Sequence, residues 1–93
     1  MALKIVYAVY GTTNSSVNVT QICQQAVSTG NDDIPVNNTF MGGDPDIGVV
    51  KSFAIVYQRQ TAANPGCYTV MTATEGDTLD LVPAGASATA APR

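Results

Sequence analysis

The side chains able to do chemistry are few in this chain, and they gather in its turns. Carboxylates come in three close pairs, Asp32/Asp33, Asp44/Asp46 and Glu75/Asp77. Two carboxylates can divide general acid and base work between them, but acids also belong in turns for purely conformational reasons. Histidine is absent, which removes the commonest general base and metal ligand. A cysteine nucleophile needs a neighbouring His or a basic patch, and the sequence offers neither to Cys23 or Cys67. No nucleophile elbow, P-loop or dinucleotide fingerprint surrounds the many Ser and Thr residues. These absences predict a protein that is not an enzyme, with no catalytic residue and no cofactor. Asp44-Pro45-Asp46 is the most pointed local feature. Two carboxylates on a Gly-rich loop, with the carbonyls of Asn37 and Asn38, suit a hard, oxygen-seeking cation such as calcium. The same Asp side chains serve a turn by capping backbone N–H groups, and the turn is the preferred reading, so no metal site is assigned.

Sugar binding is the chemistry that the remaining residues fit best. A tyrosine ring offers an apolar face to a pyranose, and Asn and Asp offer partners for its hydroxyls. Tyr7 and Tyr57 alternate with Leu3, Ile5, Phe53 and Ile55 and are expected to pack inside. Tyr10 adjoins the Gly11–Ser16 turn and Tyr68 adjoins the turn at 62–66, which makes them the surface candidates. The candidate ligand-binding set is Tyr10, Asn14, Asn37, Asn38, Asp44 and Asp46, with Tyr10 as the aromatic platform. Such sites are weak singly, so a glycan-binding domain of this size would gain from self-association. The alternative is a structural building block of a homo-oligomer or filament with no small-molecule ligand, its edge strands making the contacts.

Composition agrees with both readings. Of 93 residues 45% are hydrophobic and only 12% charged, about half the usual charged share, so Ser, Thr, Asn and Gln must keep the surface wet. Lys4, Lys51, Arg59 and Arg93 are scattered, and the net charge is −3. No basic stripe is available for nucleic acid or an anionic membrane surface. No apolar run approaches the roughly 20 residues of a bilayer span. Sequons at Asn14, Asn18 and Asn37 fit a secreted glycoprotein. The opening Met1-Ala2-Leu3-Lys4 lacks signal-peptide features, which leaves a cytoplasmic setting as the alternative. Cys23 and Cys67 either form one disulfide, closing a loop of about 45 residues worth ~3–4 kcal/mol, or are separate buried thiols.

The elements that must position these residues follow from hydrophobic periodicity. Leu3 to Tyr10 alternates as a strand, Gly11 to Ser16 is a polar turn, and Val17 and Val19 begin a short second strand. Ile22, Cys23, Ala26 and Val27 fall at helical spacing, which predicts a helix over 21–28 with Thr20 as N-cap and Gly30 as its stop. Asp33 to Asn38 is a short strand with Pro35 at an edge. Residues 41–48 form a Gly/Pro/Asp turn. Val49 to Gln60 is a long central strand with Val49, Lys51, Phe53, Ile55 and Tyr57 on one face. It returns through a hairpin at 62–66 as Cys67 to Thr74, and Thr78 to Val82 is the last strand. Residues 1–82 thus form one domain, and 83–93, with no large apolar residue, form a flexible tail. The expected fold is all-β, a β-sandwich of about six short strands with one short helix; an α+β sheet is the runner-up.

The order of motifs carries a resemblance. Tyr10-Gly11, Val17-Asn18-Val19-Thr20, Ile34 to Asn38, Gly43-Asp44-Pro45, Gly48-Val49-Val50-Lys51 and Ile55-Val56-Tyr57 follow one another over residues 3–82. The pattern resembles a small β-domain named from the C-terminal end of a mitochondrial J-domain co-chaperone. Similar modules stand alone in microbes or are attached to secreted carbohydrate-processing enzymes. Asn18 stands where Asp is usual, and the two cysteines lie outside the pattern. The resemblance implies a binding or accessory module, in some cases in a carbohydrate context, with no catalytic residue. Neither J-domain nor enzyme is present, so their activities do not carry over.

Overall fold

A computed structural model describes residues 2–60 and 67–82. The fold is all-β: the described residues form strands β1 (Ala2–Gly11), β2 (Ser16–Asn18), β3 (Asp33–Pro35), β4 (Ser52–Gln60), β5 (Tyr68–Thr74) and β6 (Thr78–Asp80), with one helix among them, α1 (Thr20–Ser28). They form a four-stranded sheet in the order β2-β1-β4-β5 and a two-stranded sheet of β3 and β6. Every pairing is antiparallel. The expected turn at 62–66 and the expected tail at 83–93 lie outside the described residues, although β4 and β5 do pair as the two arms of a hairpin.

Alternation builds the core. Phe53, Ile55 and Tyr57 are buried on one face of β4, as their spacing predicts, against Ile5, Ala8 and Tyr10 of β1. Val19, Cys23, Ile34, Val36, Met41 and Leu81 close over that face from α1 and the residue before it, β3, the loop after β3 and the chain after β6. The β4 ladder begins at Ser52, so Val49 and Val50 stay in the loop and are exposed.

One residue in β1 departs from the expected pattern and reverses half of it. The register slips between Ile5, opposite Tyr57, and Tyr7, opposite Val56. Val6 is the additional residue of a β-bulge, which shifts every later side chain to the other face. Tyr10 was expected at the surface and Tyr7 inside. Instead Tyr10 is 0% exposed in the core and Tyr7 is 50% exposed on the outer face.

The helix has two tasks. Its apolar stripe of Ile22, Cys23, Ala26 and Val27 packs on the core. Its polar side chains close the free edge of β1 beyond the short β2: Gln24 Oε1 accepts the Ile5 N–H at 2.8 Å, and Thr20 Oγ1 accepts the Ala8 N–H at 2.9 Å. Val19, not Thr20, stands at the cap position, because the Thr20 hydroxyl is committed to the sheet. Gly30 turns the chain at the helix end with φ +96°, as expected of a stop residue. Of the two readings of the cysteines, the disulfide is overturned and the separate thiols hold in part: both are free, and only Cys23 is buried. Cys23 is held inside by α1, whereas Cys67 precedes the edge strand β5 and faces solvent. Burial pushes the Cys23 thiol up to about 11.

Candidate functional site

The ends of the three long strands define one pole of the molecule. Gly11 is opposite Ser52, and Ser52 is opposite Thr74. The connections 12–15, 36–51 and 75–77 therefore meet there. At their junction lies Lys51, which continues the buried row of Phe53, Ile55 and Tyr57 and is only 2% exposed. An amine in that position needs partners. Asp44 from the Gly-rich loop forms an ion pair with its Nζ, and Glu75 Oε1 lies 3.8 Å away. The Lys51 backbone N–H donates to Glu75 Oε1 at 3.0 Å, and the Glu75 N–H donates to the Lys51 carbonyl at 2.8 Å. The Tyr10 hydroxyl donates to Asn38 Oδ1 at 2.6 Å.

Electrostatics make this cluster a clamp. The hydrogen bond from Lys51 is the main reason that Asp44 sits below the usual carboxylate range. Burial works to lower the Lys51 pKa, but Asp44, Glu75 and Tyr10 together hold it above the ordinary lysine value. Burial, with the nearby Glu75 and Asp44 charges, raises the Tyr10 phenol. At neutral pH the amine stays protonated and the phenol neutral. The cluster therefore has neither a free amine nucleophile nor a phenolate base, and what it does is tie three connections together.

The six residues proposed from sequence divide accordingly. Tyr10 and Asp44 come together around Lys51, and Asn38 joins them through the Tyr10 hydroxyl. Tyr10 is corrected as an aromatic platform, since its ring is enclosed. Asp46 accepts the Thr12 hydroxyl at 2.7 Å, and its own N–H donates to Asp44 Oδ1 at 3.1 Å, so the Asp-Pro-Asp stretch is a capped turn stitched to the 12–15 turn. Asn37 Oδ1 accepts the Phe40 N–H at 2.7 Å. Asn14 is exposed in the 12–15 turn, where its N–H donates to Thr12 Oγ1 at 3.1 Å. Lys51 and Glu75 were missed as members of this site. The available signal was a lysine in phase with three buried side chains.

The hollows at the surface are open. One of about 200 Å³ lies between Val17–Val19 and the loop Met41–Pro45. Another of about 440 Å³ lies beside Thr20, Gln21 and Gln24. At the opposite pole Asp33 faces Asp80 across the two-stranded sheet, with Asp32 beside them. Incomplete hydration and these two carboxylates hold Asp33 above its usual range.

The outer face of the four-stranded sheet is the second notable surface. Nothing among the described residues packs over it. Tyr7, Val56 and Val70 stand in one row across three strands, with Val9, Ala54 and Thr72 in a neighbouring row and Lys4, Gln58 and Tyr68 in another. Tyr68 and Val70 are each 67% exposed. Contiguous apolar patches of this kind mark contact surfaces more often than do scattered apolar residues.

Compared with protein-family models, curated proteins and solved structures, the chain matches none of them. In these described residues no helix is long and apolar enough to cross a membrane.

Proposed function

We propose that this chain is a non-catalytic interaction module that makes its contacts through the outer face of the four-stranded sheet. The observation that carries the proposal is the row Tyr7–Val56–Val70, flanked by Tyr68, on a face with half to two-thirds of the side chain exposed at three of these four residues. The loop pole, favoured from sequence, supports a contact role less well, because its aromatic ring is buried and its acids are engaged. As an interaction module the domain acts as an adhesive or structural unit that self-associates. The resemblance of its motif order to small accessory β-domains is in keeping with such a role.

A lectin-like role is the second reading, and one observation favours it. Tyr7 and Tyr68 are exposed on the same flat face, with Thr72 nearby, which offers ring faces and a hydrogen-bonding hydroxyl to a glycan. A secreted location with glycans at Asn14, Asn18 or Asn37 would leave the β4–β5 side of this face unobstructed, since none of the three lies on those strands.

Glycan-array binding and solution mass, measured for the unaltered chain, for Tyr7→Ala/Tyr68→Ala and for Asn37→Ala/Asp46→Ala, test the proposal. Loss of glycan binding or of self-association in the tyrosine variant alone is expected. Loss in the loop variant alone would return the site to the loop pole.

A further inference from the structure

Among the described residues, three of the four sheet edges are closed to uncontrolled strand pairing, and the fourth is open. An edge strand exposes unpaired main-chain groups, and proteins shield such edges with short strands, charges, proline, bulges or a covering element. At one side of the large sheet β2 has only three residues, and α1 closes the rest of the β1 edge with Gln24 and Thr20. The β3–β6 sheet has only three-residue strands and carries Pro35 and a row of acids at its edges. At the other side of the large sheet lies β5, seven residues long, with sequence Tyr-Thr-Val-Met-Thr-Ala-Thr. It contains no charge, no proline and no register irregularity against β4.

The main-chain groups that β5 leaves open can be assigned. The Glu75 N–H bonds to the Lys51 carbonyl, and bonded pairs recur at every second residue of an antiparallel ladder. Ala73, Met71 and Thr69 therefore bond to β4, while Thr74, Thr72, Val70 and Tyr68 turn their N–H and C=O groups outward. The turn satisfies Thr74, whose N–H donates to Asp77 Oδ2 at 3.1 Å and whose carbonyl accepts the Asp77 N–H at 3.0 Å. Tyr68, Val70 and Thr72 remain, and no described residue pairs with them.

We infer that the partner of this edge is a second copy of the same chain, joined through β5 about a two-fold axis at Val70. This inference rests on the outer sheet face being the contact surface. Only one antiparallel register uses all three open residues: Val70 opposite Val70, and Tyr68 opposite Thr72 in both directions. It supplies six main-chain hydrogen bonds and is self-complementary, as a two-fold contact requires. Charge does not oppose a like partner at this edge. Each chain carries −3, but its acids lie mainly in the turns at the two poles and β5 itself carries no charge, so two copies can meet along this strand without like charges facing each other. The same register extends the exposed row into a continuous band: Tyr7, Val56 and Val70 of one copy, then Val70, Val56 and Tyr7 of the other. The two four-stranded sheets become one sheet of eight strands.

Cysteine cross-linking of the full chain tests the register. In a Cys67→Ser background, Cys23 remains buried, and one new cysteine at a time replaces Thr69, Val70 or Met71. Facing residues in the bonded pairs of an antiparallel ladder have Cα atoms about 5.5 Å apart, within disulfide range. Mild oxidation should therefore convert most of Val70→Cys to a covalent dimer and leave Thr69→Cys and Met71→Cys largely uncross-linked. Mixing Tyr68→Cys with Thr72→Cys should give a heterodimer faster than either gives a homodimer. Thermal melts confirm that each variant is folded. Cross-linking strongest at Thr69→Cys or Met71→Cys would overturn the register. A chain that is dimeric by mass but cross-links at none of these positions would overturn the β5 contact while leaving self-association in place. A chain that stays at 9.6 kDa would give the edge to another occupant, residues 83–93 of the same chain or a different protein, and would overturn the proposal; glycan binding would then decide the outer-face reading by itself.

Discussion

Lys51 is the residue on which the loop pole depends. Its amine is enclosed, in contact with Asp44, and close to Glu75. The pH dependence of stability follows from the two directions of shift. Asp44 is held below its unfolded value, so its contribution is present above about pH 4 and is lost as pH falls through the folded value. Lys51 is held above its unfolded value, so its contribution is full below about pH 10 and is lost as pH rises through the folded value. Between these limits the pair supports the fold. Urea midpoints measured from acid to alkali should show a plateau for the unaltered chain. Lys51→Met should lower that plateau and weaken its pH dependence at both ends; superimposable curves would remove the clamp from the account. Gly11 is fixed by space. A Cβ there would collide with the Ser15 carbonyl oxygen and Ser16 Cα, backbone atoms of the adjoining turn and of β2 that cannot step aside cheaply. Gly11→Ala should cost about 1–3 kcal/mol in chemical denaturation, the usual penalty of overpacking. Asp44 and Tyr10 could be singled out from sequence because their residue types and turn contexts are conspicuous. Their shared partner Lys51 lies distant in sequence from Tyr10 and Glu75, and only folding shows that the three meet.

At the scale of elements, periodicity located the described strands and the helix to within a few residues, because most of them have one side more buried than the other; β2, exposed at all three residues, is the exception. Periodicity failed within β1. Val6 is apolar and suits either face, so nothing in the alternation of Leu3 to Tyr10 announces an inserted residue. The bulge becomes visible only in the register against β4. Its consequence is specific: Ile5 and Leu3 face the core before it, and Ala8 and Tyr10 after it. Deleting Val6 would join Ile5 to Tyr7 and give an unbroken alternation, with Leu3, Ile5, Ala8 and Tyr10 still facing the core and Ile5 still opposite Tyr57. Ile5→Ala should cost about 2–5 kcal/mol, the range for removing a large buried aliphatic group, whereas the Val6 deletion should stay folded; a deletion variant that lost as much as Ile5→Ala in a thermal melt would refute this reading of β1. Strand order was also hidden. β6 follows β5 after a three-residue turn, which invites a hairpin, yet it pairs with β3. Hydrogen bonds between the turn and the chain after β3 account for this: the Val36 N–H donates to the Asp77 carbonyl, and the Gly76 N–H donates to the Val36 carbonyl, both at 2.8 Å.

The whole molecule has an uneven distribution of protection. Among the described residues, one edge of its large sheet is closed by a helix, one pole is clamped by an ion pair, the β5 edge carries no charge, and the outer face is largely apolar, with Lys4 at its margin. Low overall charge was evident from composition, and edge strands could be named as contact elements. Which edge stays open depends on α1 lying along β1, and this follows from Gln24 and Thr20, two residues whose polarity suggests only a solvated helix face.

The most direct measurement is the solution mass of the full chain by light scattering over a dilution series, with Val70→Lys alongside. A lysine at the centre of the contact would place two positive charges opposite each other. The account predicts twice the 9.6 kDa chain mass for the unaltered protein at high concentration and the single-chain mass for Val70→Lys at every concentration. A single-chain mass throughout, or an assembly indifferent to Val70→Lys, would contradict it.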